Sequence, residues 1–152
     1  MKIRQLLGAG GVLSLVAGCG VFPYQPAPNE VLVPIKYVGS GQPLMCKEGK
    51  TYSLTTVGNT NVVQVPVGGR VALGASLRSD GYNVAYTCYP WLGFVPEANR
   101  SYVANAGLFS TGRCFVELVR EDTTKDTGVS VEPSVGPPGC VAPAAAAASA
   151  PR

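Results

Sequence analysis

The residue types that most often carry chemistry are unevenly represented in this 152-residue sequence. Histidine is absent, which removes the Ser-His and Cys-His pairs that activate nucleophiles and the commonest general acid or base. The nine acidic residues include no obvious pair of glycosidase type. We therefore expect no enzymatic activity and no catalytic residues. Cysteine is the reactive type that remains, at five positions: Cys19, Cys46, Cys88, Cys114 and Cys140.

The cysteines do not have the spacing of a metal centre. Structural zinc sites usually combine histidine with cysteines two to four residues apart, and neither feature is present in this sequence. We expect no metal and no cofactor. An exported chain in an oxidising compartment uses its cysteines for disulfides instead, provided that their number is even.

The N-terminus has the layout of a secretory signal. Lys2 and Arg4 precede an uncharged, mostly apolar run from Leu6 to Ala17, and small residues follow. The run has twelve residues, well short of the ~20 that a membrane-spanning helix needs. The pattern predicts a cleaved export signal rather than a membrane span.

The end of this signal resembles the lipobox of bacterial lipoproteins, in the sequence Val16-Ala17-Gly18-Cys19. The resemblance implies a signal peptide over residues 1–18, acylation of Cys19 and attachment to a lipid bilayer. Two or three acyl chains hold a protein stably where one does not. Because Gly20 rather than aspartate follows the cysteine, the resemblance also implies transport to the outer membrane, with the domain facing the periplasm or the cell surface.

Lipidation of Cys19 would leave four cysteines for two disulfides, which can pair in three ways. We favour Cys88–Cys114 because both lie in strand-like runs, "YNVAYTCY" and "RCFVELV". In each run the cysteine shares the presumed inward face with apolar residues, Tyr82, Val84 and Tyr86 in one and Val116 and Leu118 in the other. Cys46–Cys140 follows by elimination. The alternative is that Cys140 stays a free thiol or pairs between molecules.

Residues 30–134 are predicted to form one all-β domain. The segment is rich in Val, Tyr and Thr, and its short runs of period two are separated by turn residues. In "GRVALGASLR", for example, Val71, Leu73, Ala75 and Leu77 share one face. Eight such runs predict a small antiparallel β-sandwich stabilised by disulfides, immunoglobulin-like or transthyretin-like, with a small barrel as a third arrangement. Residues 19–29 are expected to be a tether, and the Pro/Ala-rich residues 135–152 a flexible tail.

The stretch "CYPWLGFVPEANRSY" is the candidate partner-binding site. It holds Tyr89, Trp91, Phe94 and Tyr102 around two prolines, and aromatic residues on a stiff loop make good contact surfaces. The alternative interpretation is that Trp91 and Phe94 fill one end of the sandwich core.

Two functions remain open. The first is a structural or docking lipoprotein of an envelope complex, since outer-membrane lipoproteins of secretion machines are similar in size and layout. The second is a ligand-binding or inhibitor module that resembles the periplasmic lipoprotein inhibitors of lysozyme, with Ser40-Gly41 and Tyr52 in a glycine-rich loop. Without Lys2 and Arg4 the formal net charge falls from +3 to +1, and no basic stripe suggests nucleic-acid binding.

Overall fold

Residues 21–139, which the computed structural model describes, form eleven β-strands and no helix. Within this range no helix could cross a bilayer. The all-β prediction is confirmed. The strands are β1 (Phe22–Pro23), β2 (Leu32–Tyr37), β3 (Gln42–Lys47), β4 (Lys50–Ser53), β5 (Val62–Pro66), β6 (Val71–Asp80), β7 (Ala85–Cys88), β8 (Trp91–Phe94), β9 (Tyr102–Leu108), β10 (Cys114–Glu121) and β11 (Val129–Val131).

The strands form the two sheets of a sandwich. The first has the order β1-β4-β3-β6-β7, with β8 also paired to β6, and the second has the order β11-β10-β9-β2-β5. Pairing is antiparallel except at β1–β4 and β2–β9, which are parallel. The sandwich is therefore mixed rather than purely antiparallel. Only a long connection lets strands pair in parallel, and β2 and β9 lie far apart in the chain.

The strand order distinguishes the two arrangements that the sequence left open. In immunoglobulin domains the first two strands, A and B, lie in the same sheet. Here β2 and β3, the first two strands of full length, lie in different sheets. The immunoglobulin-like arrangement is therefore excluded, and the transthyretin-like one stays a prediction.

The core lies between the sheets and follows the period-two pattern of β6. Val71, Leu73, Ala75 and Leu77 are buried, as the sequence predicts. They pack against apolar residues of the second sheet such as Ile35. Burying such a side chain contributes roughly 1.5–3 kcal/mol, so this face supplies much of the driving force for folding.

The structure has three strands that the sequence pattern does not predict: β1, β3 and β8. β3 lies in the stretch predicted to be a glycine-rich loop and β8 in the predicted aromatic loop, and both are largely buried. Ala72 and Gly74, on the outer face of β6, are buried as well. A Cβ atom on Gly74 would collide with the ring of Trp91, so this glycine makes room for the indole to lie on the outer face. A strand covered on both faces shows no alternation.

One of the two predicted disulfides is present. Cys88, the last residue of β7, is bonded to Cys114, the first residue of β10, with their Cα atoms 6.5 Å apart. This bridge joins the two sheets and confirms the pairing. Cys46 is buried in β3, whereas Cys19 and Cys140 lie outside the described residues. The Cys46–Cys140 pairing therefore stays a prediction.

The domain begins earlier than the sequence suggests. β1 pairs with β4, and the amide of Tyr24 donates a 2.9 Å hydrogen bond to the carbonyl of Ser53. The carboxylate of Glu30 accepts hydrogen bonds of 2.5 Å from both Tyr24 Oη and Lys47 Nζ. These contacts hold residues 22–30 on the edge of the first sheet, so the predicted tether over 19–29 is wrong from residue 22 onward.

The domain also ends later than residue 134. Gly136 exchanges two backbone hydrogen bonds of 2.8 and 2.9 Å with Gly93 of β8. The Ser134 hydroxyl accepts from the amide of Val95, and its carbonyl accepts from Arg70. Residues 134–139 therefore pack against the first sheet, and the predicted flexible tail does not begin at residue 135.

Substitution of Phe94 tests the core. Phe94→Ala should lower the free energy of unfolding by about 3–5 kcal/mol, because it empties a fully buried site. Tyr89→Ala, at a side chain that is 57% exposed, should change it by no more than about 0.5 kcal/mol. Urea unfolding of both variants measures the difference, and a small effect at Phe94 would contradict the described core.

Acid titration tests the contact that holds the N-terminal segment. The hydrogen bond from Lys47, and then that from Tyr24, lowers the pKa of Glu30 from 4.5 to about 2. Because this pKa is lower in the folded state, Glu30 adds stability above pH 4.5 that is lost as the pH falls toward 2. Glu30→Gln should flatten the acid limb of a plot of unfolding free energy against pH, whereas Glu97→Gln, at an exposed carboxylate, should not. Acid limbs of equal steepness in both variants would count against this role.

Candidate docking surface

The strand directions divide the sandwich into two ends. The hairpin end carries the connections β2–β3, β4–β5, β6–β7 and β9–β10, at residues 38–41, 54–61, 81–84 and 109–113. The base end carries β3–β4, β5–β6, β8–β9 and β10–β11, at residues 48–49, 67–70, 95–101 and 122–128. Strand register keeps each set together, since neighbouring antiparallel strands place alternate connections at opposite ends.

Charge is concentrated at the base end. The four hairpin-end connections contain one charged residue, Arg113. Nearby on β6, Arg78 and Asp80 neutralise each other in an ion pair of 2.9 Å. The base-end connections contain seven charged residues: Glu48, Arg70, Glu97, Arg100, Asp122, Lys125 and Asp126. The two ends therefore present water with very different surfaces.

The hairpin end instead exposes apolar and aromatic side chains. We call this set the hairpin-end surface; it consists of Val38, Val57, Tyr82, Val84, Tyr86 and Phe109. It includes three of the five exposed aromatic residues among residues 21–139. The other two are Phe22 and Tyr89, and Tyr89 lies level with the middle of β6. Clustered exposed apolar side chains mark contact sites more often than scattered ones do.

The β6–β7 hairpin forms the most prominent part of this surface. A tight turn at its tip is closed by a 2.7 Å hydrogen bond from the amide of Gly81 to the carbonyl of Val84, and Tyr82 in the turn is fully exposed. The Cys88–Cys114 bridge fixes its base to the second sheet. Cys88 is half-buried, but Val84 and Tyr86 on the same strand face are exposed. The predicted inward burial of Tyr82, Val84 and Tyr86 is therefore wrong, because the hairpin extends beyond the bridge.

A second aromatic group lies beside the bridge on the other sheet. The rings of Phe109 and Phe115 have centroids 4.6 Å apart. Phe115 covers Gly107, where an added Cβ atom would lie 3.2 Å from the ring. Half of Phe109 remains exposed. The bridge therefore has aromatic side chains on both of the strand pairs that it connects.

The four predicted partner-binding residues do not form one site. Tyr89 is exposed, and Trp91 is half-buried over Gly74. Phe94 and Tyr102 are 0% and 1% exposed and pack edge to face at 5.4 Å. Burial raises the pKa of Tyr102, whose hydroxyl accepts a hydrogen bond from the amide of Glu97. The docking prediction is wrong for Phe94 and Tyr102, and the core interpretation holds for Phe94.

Sequence reasoning missed Tyr82, Tyr86 and Phe109 as surface residues. A signal was available, because no charged residue occurs from Gly81 to Pro96 although an Asp-Gly turn starts the segment. An exposed hairpin usually carries charged side chains. A neutral one with three tyrosines is the unusual feature.

The Ser40-Gly41 loop lies flat against the hairpin end. A Cβ atom on Gly39 would collide with the backbone of Ala106, and one on Gly41 with the carbonyl of Ser76. The hydroxyl of Tyr37 donates a 2.6 Å hydrogen bond to the carbonyl of Ser40. Burial raises the pKa of Tyr37. Tyr52 lies outside this loop, in β4, where its ring packs against Tyr24. The loop therefore neither projects from the domain nor carries the tyrosine that an inhibitory loop would use.

A shallow depression of about 460 Å³ lies next to this loop. Its lining comes from Tyr37, Gly39, Gly41, Gln42, Pro43, Ser53, Leu54, Thr55, Thr56 and Asn61. None of these side chains is a carboxylate, an ammonium or a guanidinium group. Among residues 21–139 no cluster of carboxylates and cysteines could hold a metal ion. No protein-family model, curated protein or solved structure matches the chain.

Proposed function

We propose that the chain is an outer-membrane lipoprotein that docks onto an envelope protein complex through its hairpin-end surface. The observation that carries the proposal is the contrast between the ends, with exposed aromatic side chains at one and nearly all loop charges at the other. Tyrosine is one of the residues enriched at interface hot spots. The flat Ser40-Gly41 loop does not favour the inhibitor alternative.

The position of the N-terminus supports the same orientation. β1 runs parallel to β4, which leads away from the base end, so the chain enters β1 from the base end. Cys19 precedes Phe22 by three residues and can lie no more than roughly 11 Å from it. β6 has ten residues and spans roughly 33 Å. An acylated Cys19 therefore keeps the base end near the bilayer and points the hairpin end away from it.

Acylation of Cys19 is the first testable consequence. Cys19→Ser should abolish incorporation of an alkyne fatty acid and release the protein from membranes, because the thiol that accepts the lipid is gone. Labelling of the wild type and the variant, followed by membrane fractionation, measures both effects. Equal labelling of the two proteins would disprove the anchor.

Cross-linking tests the docking surface. A photoreactive residue in place of Tyr82 should give a defined protein adduct in intact envelopes. The same residue in place of Val31, which is exposed before β2 at the base end, should not. Tyr86→Ser should weaken the Tyr82 adduct about 30-fold if Tyr86 contributes ~2 kcal/mol as a hot spot. Adducts of equal yield at both positions would contradict docking at the hairpin end.

A further inference from the structure

β7 is an edge strand with unused backbone groups. It pairs with β6, and the Gly81–Val84 hydrogen bond sets the alternation of the ladder. In an antiparallel ladder every second residue pair exchanges hydrogen bonds. Counting from the Gly81–Val84 pair, these pairs are Ser79–Tyr86 and Leu77–Cys88. The amides and carbonyls of Ala85, Thr87 and Tyr89 therefore point away from β6. No hydrogen bond joins these outward groups to the rest of residues 21–139.

The continuation of the same edge is closed. β8 follows β7 along the same side of β6, and Gly136 pairs with Gly93 on its outer side. The fold thus covers one half of the edge with residues 134–136 and leaves the half formed by β7 open. The open half of the edge lies beside the hairpin-end surface, because β7 is nearer than β8 to the tip of the β6–β7 hairpin.

The other sheet edges have ordinary protection. β1, at the far edge of the first sheet, has only two residues, and one of them is a proline. On β5, the outward residues are Val62, Gln64 and Pro66, and the proline has no amide to donate. β11 has only three residues and follows the charged connection 122–128. β7 has neither a proline nor a charge, and Ala85 and Thr87 are both exposed. An edge without proline or charge can pair with another extended segment.

We infer that the open edge of β7 receives an extended, uncharged segment of the docking partner as an added β-strand. Backbone hydrogen bonds to Ala85, Thr87 and Tyr89 would position it, and Tyr86 and Tyr89 would flank it on opposite faces of the sheet. The segment is uncharged because the edge runs through a neutral stretch and offers no counter-charge. This inference rests on the proposed docking function and names its mode of recognition.

The test uses the full-length protein in its own envelopes, with the photoreactive probe at Tyr82. Thr87→Pro removes an outward amide without touching the β6–β7 ladder, and Thr87→Lys adds a charge at the edge while keeping the backbone. Thr87→Val is the matched control, since it keeps both the amide and the β-branched shape. Thermal unfolding identifies any variant that fails to fold. If Thr87→Pro does not fold, the adduct yield of Thr87→Lys provides the test.

The expected result is an adduct yield at least tenfold lower for Thr87→Pro and Thr87→Lys and unchanged for Thr87→Val. Hydrogen exchange of residues 84–89 should also slow in the purified adduct. Equal yields in all three variants would overturn the added strand while the Tyr86→Ser effect still supports docking. An adduct of two copies of this chain would contradict the inference that the added strand comes from a different protein. Absence of any adduct at Tyr82 would contradict both the docking function and this inference.

Discussion

The bridge between Cys88 and Cys114 is the constraint on which the hairpin end depends. It ties the last residue of β7 in one sheet to the first residue of β10 in the other. The hairpin beyond it has no covering layer, and its outer side chains are exposed to water. A two-stranded hairpin is marginally stable alone, so its shape rests on the strands and the bridge at its base. On the chain-entropy model this crosslink adds about 3 kcal/mol to the domain.

A second consequence of the fold is the separation of charged and apolar side chains between the two ends. The base end holds the charged connections and the contact between Glu30 and Lys47 that secures the N-terminal segment. The hairpin end holds neutral, aromatic side chains. Covering such a surface with a partner costs little desolvation free energy, because few charged groups lose their contact with water. Charged surfaces favour solubility, and the proposed contact lies at the end that carries fewer charges.

The sequence predicts the class of fold and one disulfide because both depend on local alternation. In β6 and β10 the period of two identifies the inward residues correctly, and it puts Cys114 on the inward face with Leu118. Alternation does not show whether another sheet covers that face, so it predicts burial for Tyr86, which the structure leaves exposed. It also fails in β3 and β8, where both faces are covered. The prolines around Trp91 and Phe94 indicate a loop, but β8 fits between them and turns Phe94 into the core.

The parallel pairing of β2 with β9 has a consequence for the order in which the domain assembles. Ile35 lies opposite Tyr102, 67 positions later in the chain, whereas the bridged cysteines are 26 apart. Closing the longer loop costs more chain entropy, and sheets built from distant segments fold slowly. Until β9 arrives, one side of β2 has no neighbour. The β6–β7 hairpin joins strands that are neighbours in the chain, and its bridge spans a separation of 26 residues. Both therefore cost less loop-closure entropy than the pairing of β2 with β9, on which the second sheet depends.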